Sequence, residues 1–431
     1  MATTRLQLVL AVAFAVAAAV ILPNLSATAL GVNYGQVADN LPPPQSAALL
    51  LRALNATKIK LYDADARVLA AFANSGADFT VGLPDRLVPR LAADPSAAPA
   101  WVRSNILPHI PATSITAVTV GNEVLTGGDD VMLRSLLPAM QSLHAALAAC
   151  NLTSRVSVTT AHSLAVLSSS FPPSSAAFRR DLLPYITPLL AFLTKTNSPF
   201  LINAYPYFAY KADPDHVDLN YVLFESNSNS GAGVVDPATG LRYDNMLHAQ
   251  VDAVRAAICK ANYGKSVEIV VSETGWPSRG DGDESGASPE NAARYNGNLM
   301  RMVAEGKGTP AAPQGEALQV YVFALFNEDL KPGPASERHY GLFKPDGSPA
   351  YDVGVKAPAI GGGGKGRGNG TAGGGGLVVA EGPGGADGAG PGEEVAVLGK
   401  LVHNRCCSHD VRAALVMTML QWRFAVEEES E

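Results

Sequence analysis

Cysteine is scarce in this 431-residue chain: there are four, and two of them, Cys406 and Cys407, stand side by side near the C-terminus. Only Cys150 and Cys259 fall in the part expected to fold, so disulfides are excluded as the framework and packing must supply the stability. Positive charge is also short. With 32 Lys and Arg against 39 Asp and Glu the net charge is −7, and no basic patch points to a nucleic-acid partner. A neutral or weakly cationic ligand fits better. A membrane-length apolar run is missing too, because LVLAVAFAVAAAVIL near the N-terminus is shorter than the roughly 20 residues a span needs. Preceded by Arg5 and followed by Ala27-Thr28-Ala29, it reads as a secretory signal peptide over residues 1–29, with a mature chain beginning near Leu30.

What is present is apolar residues, 47% of the total, enough for a sizeable core. Between Leu30 and about Val355, short β-branched runs alternate with longer stretches of helical period, the pattern of repeated βα units around a parallel sheet. There are eight runs: Gly31–Gly35, Lys58–Asp63, Phe79–Pro84, Ile115–Glu123, Arg155–Ser163, Phe200–Phe208, Val267–Pro277 and Leu318–Glu328. Eight parallel strands predict an α/β fold closed into a (β/α)8, or TIM, barrel. Leu133, Leu137, Met140, Leu143 and Leu147 recur at helical spacing, as do Leu247, Val251, Val254 and Ile258, and these stripes should pack helices onto the barrel.

From residue 356 to 431 the composition changes to GGGGKGRGNGTAGGGG and EGPGGADGAGPGEE, which hold too little apolar surface to order themselves and read as a disordered Gly-rich tail. The glycines around Lys365 are not a phosphate loop, since no Ser or Thr follows the Lys and no strand precedes it. His403, Cys406, Cys407 and His409 lack the spacing of a zinc site. Neither metal nor cofactor is expected. If the chain is secreted, the sequons at Asn55, Asn151 and Asn369 become candidate glycosylation sites.

Carboxylates finish three of the eight runs: Glu123 after AVTVGN, Glu273 after EIVVS and Glu328 after YVFALFN. Barrel active sites form at the C-terminal ends of the strands, so these acids should converge. Any one of them could simply cap a helix or pair at the rim, but three at equivalent places in the repeat suggest a site. Two acids flanking one bond is the arrangement of glycoside hydrolysis, one carboxyl donating a proton and the other attacking or activating water. Strand-end segments also supply Tyr34, Tyr62, Tyr205, Tyr207, Phe208, Trp276 and Phe326, whose rings suit the apolar faces of sugars. Asn33, Asn122 and Asn203 could bond sugar oxygens. For Phe326, within an apolar strand, core filling is the competing role. Trp276, directly after Gly275, could instead wedge the turn.

The motifs GVNYG, VGNEV, VVSETGWPS and FNEDLKPGPASERHYGLFKPDGSPAYDV resemble the plant endo-1,3-β-glucanases, glycoside hydrolase family 17, from Leu30 to about Val355. SETGWPS is the specific part. The resemblance implies a (β/α)8 barrel and retaining hydrolysis of internal β-1,3-glucosidic bonds, as in callose. It maps Glu123 to the acid/base, Glu273 to the nucleophile, and Glu328 and Lys331 to an auxiliary pair supporting them. Some members of that family carry a C-terminal cysteine-rich binding module and others a tail exchanged for a lipid anchor. Here the cysteines are too few for the module, and the final ALVMTMLQWRFAVEEESE ends in acids where an anchor signal ends in apolar residues. A monomeric, extracellular or cell-wall enzyme acting on β-1,3-glucan is therefore expected, associated with membranes only if an anchor is added. The alternative is a wall glucan-binding protein with the groove and little chemistry.

Overall fold

The computed structural model describes residues 30–226, 233–263, 267–312, 316–352, 354 and 358. The expected leader and the glycine-rich tail, with Asn369, His403, Cys406, Cys407 and His409, lie outside them.

Eight parallel strands close into a barrel in sequence order: β1 (Leu30–Asn33), β2 (Ala56–Lys60), β3 (Asp78–Leu83), β4 (Ser114–Asn122), β5 (Ser157–Ser163), β6 (Phe200–Asn203), β7 (Ile269–Thr274) and β8 (Gln319–Val322), with β1 paired to β8. Several strands are shorter than their expected runs, β6, β7 and β8 by the most. β6 stops at Asn203 because Pro206 opens a helix, where its fixed φ and missing N–H suit the first turn. β8 stops at Val322, beyond which the chain continues through a cis Phe323–Ala324 peptide and a single bridge from Phe326 to Phe343. Two short antiparallel pairs, Leu167–Ser169 with Ala177–Phe178 and Val234–Val235 with Arg242–Tyr243, decorate the connections.

The helices are α1 (Pro44–Ala53), α2 (Ala66–Ala71), α3 (Val88–Ala93), α4 (Ala97–Asn105), α5 (Asp130–Ala149), α6 (Leu183–Thr196), α7 (Pro206–Ala212), α8 (Leu219–Val222), α9 (Met246–Lys260) and α10 (Pro289–Ala304). Several begin on side-chain caps: Asp129 accepts the Val131 and Met132 N–H groups, and Ser288 accepts that of Asn291. The α9 stripe is buried as its spacing predicts. In α5 the apolar face is rotated slightly, burying Leu136 and Ala139 while Leu133 and Leu137 stay at its edge.

Strand residues sort by the two-residue period. Val32, Ile59, Phe79, Val81, Val118, Val120, Phe200, Ile202, Val271 and Val320 join the large core shared with the helices, while Ala161, Leu201, Val270 and Tyr321 form a small separate cluster inside the barrel. Inward positions nearer the C-terminal ends are polar: Asn33, Lys60, Thr80, Asn203 and Ser272 are all buried. Buried polar groups must find partners, and these find one another. The barrel interior thus changes from apolar floor to hydrogen-bonded mouth.

Candidate active site

Strict alternation would send Glu273 outward, because Val271 faces the helices and Ser272 faces in. The strand breaks that alternation. Its register against both neighbours shifts after Val271, so that Glu273 lies opposite Asn203 and Thr274 opposite Val322. A bulge of this kind re-aims a side chain. Glu273 turns into the mouth beside Ser272, and Thr274 takes the outward place, its hydroxyl 2.5 Å from the Tyr295 hydroxyl of α10. Gly275 is required next, since a Cβ there would overlap the Phe323 carbonyl oxygen. The strand before Glu123 is irregular in the same way: its register shifts between Thr119 and Asn122, with Gly121 at φ 70°. Glu123 itself holds φ 54°, a region costly for a side chain of its length. Its N–H donates to Ala161 O at 2.9 Å, and Thr126 returns N–H and hydroxyl bonds to its carbonyl at 3.1 Å each.

The two carboxyls meet different company. Glu273 is 6% exposed and accepts from the Lys60 ammonium at 2.6 Å and the Tyr62 hydroxyl at 2.7 Å on Oε1, and from the Tyr205 hydroxyl at 3.0 Å on Oε2. Burial alone would push its carboxyl up, but Lys60, Tyr62 and Lys331 reverse this and hold it below the ordinary carboxylate range. Glu123 receives one side-chain donor, Asn203 Nδ2 at 2.9 Å. Burial, with the negative charge of Glu273 second, pushes it up to about 7. The two acids of one mouth are thereby pushed in opposite directions, Glu273 toward the ionised form and Glu123 toward the protonated one.

A polar chain fixes this difference. Asn203 also donates to Asn122 Oδ1 at 3.3 Å and accepts from Ser272 Oγ at 2.7 Å, which orients its amide toward Glu123. Asn33 ties down the carbonyls of Ser272 and Val322 and accepts from Tyr62 at 3.2 Å. Glu328 is 2% exposed, accepts the Val37 N–H at 2.8 Å and lies 3.6 Å from the Lys331 ammonium, which sits 4.0 Å above the Phe323 ring centroid. Gly35 gives it room, as a Cβ there would overlap its carboxylate.

Glu123, Glu273, Glu328, Lys331, Asn122, Asn203 and Tyr205 are therefore brought together at the strand ends. Four expected sugar contacts are not, Tyr207 being completely buried against Trp276. Trp276 is completely buried, its ring packed among Tyr207, Tyr210 and Tyr295 and its Nε1 donating to Gly286 O at 2.8 Å, so it wedges the turn after β7. Tyr34 and Phe326 are buried against each other, ring centroids 5.9 Å apart. These rings are wall, not groove. Lys60 was not anticipated, although its place two residues before Tyr62 in KIKLYD puts both on the inward face. Glu337 was also missed. Its acidity is lowered by burial and by Glu273, Glu284 and Glu328 despite Lys331, and it in turn raises Glu123.

Among the described residues no group of three or more His, Cys, Asp or Glu could hold a metal ion, and no helix is long and apolar enough to cross a membrane. Cys150 and Cys259 are both free. Asn55 and Asn151 are exposed, each at positive φ where the chain enters a strand from below the barrel.

A (β/α)8 barrel with two carboxyls in its mouth, one held toward the ionised and one toward the protonated form, defines a glycosidase-type site. Comparison with known proteins agrees. Residues 30–355 match the model of glycosyl hydrolases family 17, and the chain belongs to that family. It is 54% identical over 337 residues to glucan endo-1,3-beta-glucosidase 11 of Arabidopsis thaliana, covering 78% of this chain and 77% of that protein. It is 46% identical over 326 residues to the glucan endo-1,3-beta-D-glucosidase of Olea europaea, covering 76% and 70%. Among solved structures it is similar to CJP38, a beta-1,3-glucanase and allergen of Cryptomeria japonica pollen, with TM-score 0.71, 38% identity and coverage of 76% of this chain and 99% of that one.

Proposed function

We propose that the protein is a secreted endo-hydrolase of β-1,3-glucan that retains anomeric configuration, with Glu273 as nucleophile and Glu123 as acid/base. The observation that carries this reading is the opposite environment of the two carboxyls in one mouth: three donors on Glu273, one of them a cation, and one amide on Glu123. The names of the relatives support the substrate.

In the first step a Glu273 oxygen attacks the anomeric carbon. The bond to the glycosidic oxygen breaks, and that oxygen takes the proton of Glu123. In the second, Glu123, now ionised, takes a proton from water, whose oxygen displaces Glu273 and restores the starting anomer. Asn203 holds the Glu123 carboxyl through both steps. Lys60, Tyr62 and Tyr205 keep the attacking oxygens ionised and oriented until the covalent bond removes the charge, and Lys331 and Glu328 border the same mouth. Tyr205, partly exposed beside Phe208, offers a ring to a sugar face. Secretion rests on the apolar segment of residues 8–22 and its flanks, and N-terminal sequencing of exported protein, expected to begin near Leu30, tests it.

The roles separate by substitution. Glu273→Gln should abolish hydrolysis of every substrate. Glu123→Gln should abolish laminarin hydrolysis, yet a dinitrophenyl glucoside should still react, with added azide restoring turnover and giving the β-glycosyl azide. The opposite anomer, or rescue in Glu273→Gln, would reverse the roles or the mechanism. A wild-type protein that binds laminarin without releasing reducing ends would be a binding protein.

A further inference from the structure

One buried acid has no part in the chemistry above. Glu284, between β7 and α10, is 4% exposed and gathers donors from three segments. They are the Lys211 ammonium of α7, the Asp281 N–H of its own loop at 3.0 Å, and the N–H and hydroxyl of Ser336 at 2.9 and 2.6 Å from the loop after β8. Burial would push its carboxyl up, but Lys211 and Ser336 hold it down at about 2. Such a carboxylate is ionised throughout the range of the enzyme and ties its donors with charge-assisted bonds.

What it holds matters for the mouth. The loop after β8 carries Glu328, Lys331 and Glu337. It is anchored at its start by Val37, which donates to Glu328 and accepts from Leu330 N–H at 3.1 Å, and at its end by His339 O, which accepts the N–H and hydroxyl of Ser278 at 2.9 and 3.0 Å. The span between depends on Glu284 and on Asp281, which accepts the Ala335 N–H at 2.9 Å. Ser336, the residue Glu284 grips twice, directly precedes Glu337.

We propose that Glu284, paired with Lys211, is a positioning residue for the reaction, clasping the 328–337 loop so that Lys331 and Glu337 keep their places beside the two catalytic carboxyls. It touches no substrate. The inference rests on the assignment of Glu273 and Glu123 above, and it differs from a purely structural role in one measurable way. Lys331 lowers the pKa of Glu273, and Glu337 raises that of Glu123. If the loop drifts, both influences weaken together. The other groups facing Glu273, namely Lys60, Tyr62 and Tyr205, stay where they are, on β2 or just beyond β2 and β6.

The test compares full-length wild type with Glu284→Gln, Glu284→Asp, Lys211→Met and Ser336→Ala, at matched folded concentration by circular dichroism. Laminarin kcat in Glu284→Gln should fall about tenfold with KM changed less than about twofold, the sign of lost transition-state geometry. Its kcat/KM profile should narrow from both sides, the acid limb moving to higher pH and the basic limb to lower. Lys211→Met and Ser336→Ala should narrow it in the same sense, and Glu284→Asp should recover part of the width. Amide exchange over residues 330–338 should quicken in Glu284→Gln, a readout independent of hydrolysis. An unshifted profile, or unchanged exchange in that loop, overturns the clasp. If Glu284→Gln does not fold, the Lys211 and Ser336 variants decide by the same criterion. Inactive wild type would instead reject the assigned function, leaving exchange to judge the clasp.

Discussion

Lys60→Met tests what ionises the proposed nucleophile, because Met keeps the length of the side chain and removes its charge. Lys60 is 1% exposed, and its ammonium lies 2.6 Å from Glu273 Oε1 inside the barrel, where water screens little. Removing one partner of a buried pair leaves the other uncompensated, at a cost of about 3–5 kcal/mol. The variant can relieve much of that by protonating Glu273. In the wild type the folded-state pKa of Glu273 lies below the ordinary value, so its stabilisation is fully present above the unfolded pKa and is lost as pH falls through the folded one. In the variant burial becomes the dominant influence and the folded value rises. The destabilisation should therefore be full at pH 7 and fade toward pH 4, where the carboxyl is protonated. Urea unfolding at both pH values measures this, and the acid limb of kcat/KM should move up by about one pH unit or more, each unit corresponding to roughly 1.4 kcal/mol. Lys60→Arg should keep the wild-type limb. Equal destabilisation at both pH values with an unmoved limb would refute the electrostatic role and leave Lys60 as packing.

The barrel was legible because its causes are local. β-branched runs, helical stripes and strand-end turns repeat eight times, and each can be read without knowing what it touches. The acids were legible for the same reason, since each ends a run. Their different chemical states were not. What separates Glu123 from Glu273 is a register shift in β7 and four contacts from β2, the segment after β2, β6 and the segment after β6, all long-range in sequence. The misplaced aromatics have a related cause. Aromatic content at strand ends does not say which side of the strand a ring takes, and Gly275 together with the bulge turns Trp276 toward the helices, where Tyr295 of α10 covers it. Lys60 was overlooked because a lysine in a strand is ordinarily solvated. Only the polar barrel interior makes an inward Lys tolerable, and that interior is a property of eight strands at once. Glu284 lies further still from the reach of sequence, as its meaning depends on which loop it grips.

The remaining expectations divide structural from chemical roles at the mouth. Trp276→Ala should cost about 3–5 kcal/mol of stability through the cavity it leaves while kcat per folded molecule changes little, as measured by urea unfolding and laminarin turnover. A large loss of kcat with stability intact would return Trp276 to the groove. Tyr205→Phe removes the hydroxyl 3.0 Å from Glu273 Oε2 and keeps the ring. A hydrogen bond to a charged group contributes about 1.5–3 kcal/mol to stability, so urea unfolding should show a loss of up to that size and kcat/KM should fall with it, and wild-type kinetics would remove Tyr205 from the machinery. Glu123 sets the last expectation, because its carboxyl stands at about 7 against an ordinary 4.5 and must be protonated to act as the acid. Activity on laminarin should decline as pH rises through about 7. Stability should follow the same sign: the contribution of a group whose folded value is raised is fully present below the unfolded value and is lost as pH rises through the folded one. Glu123→Gln, which cannot ionise, should abolish that slope in unfolding experiments and, on an activated dinitrophenyl substrate, should show glycosylation without a basic limb near 7. A basic limb unchanged in that variant would mean that some other group, such as Glu337, titrates there and that Glu123 is not the proton donor.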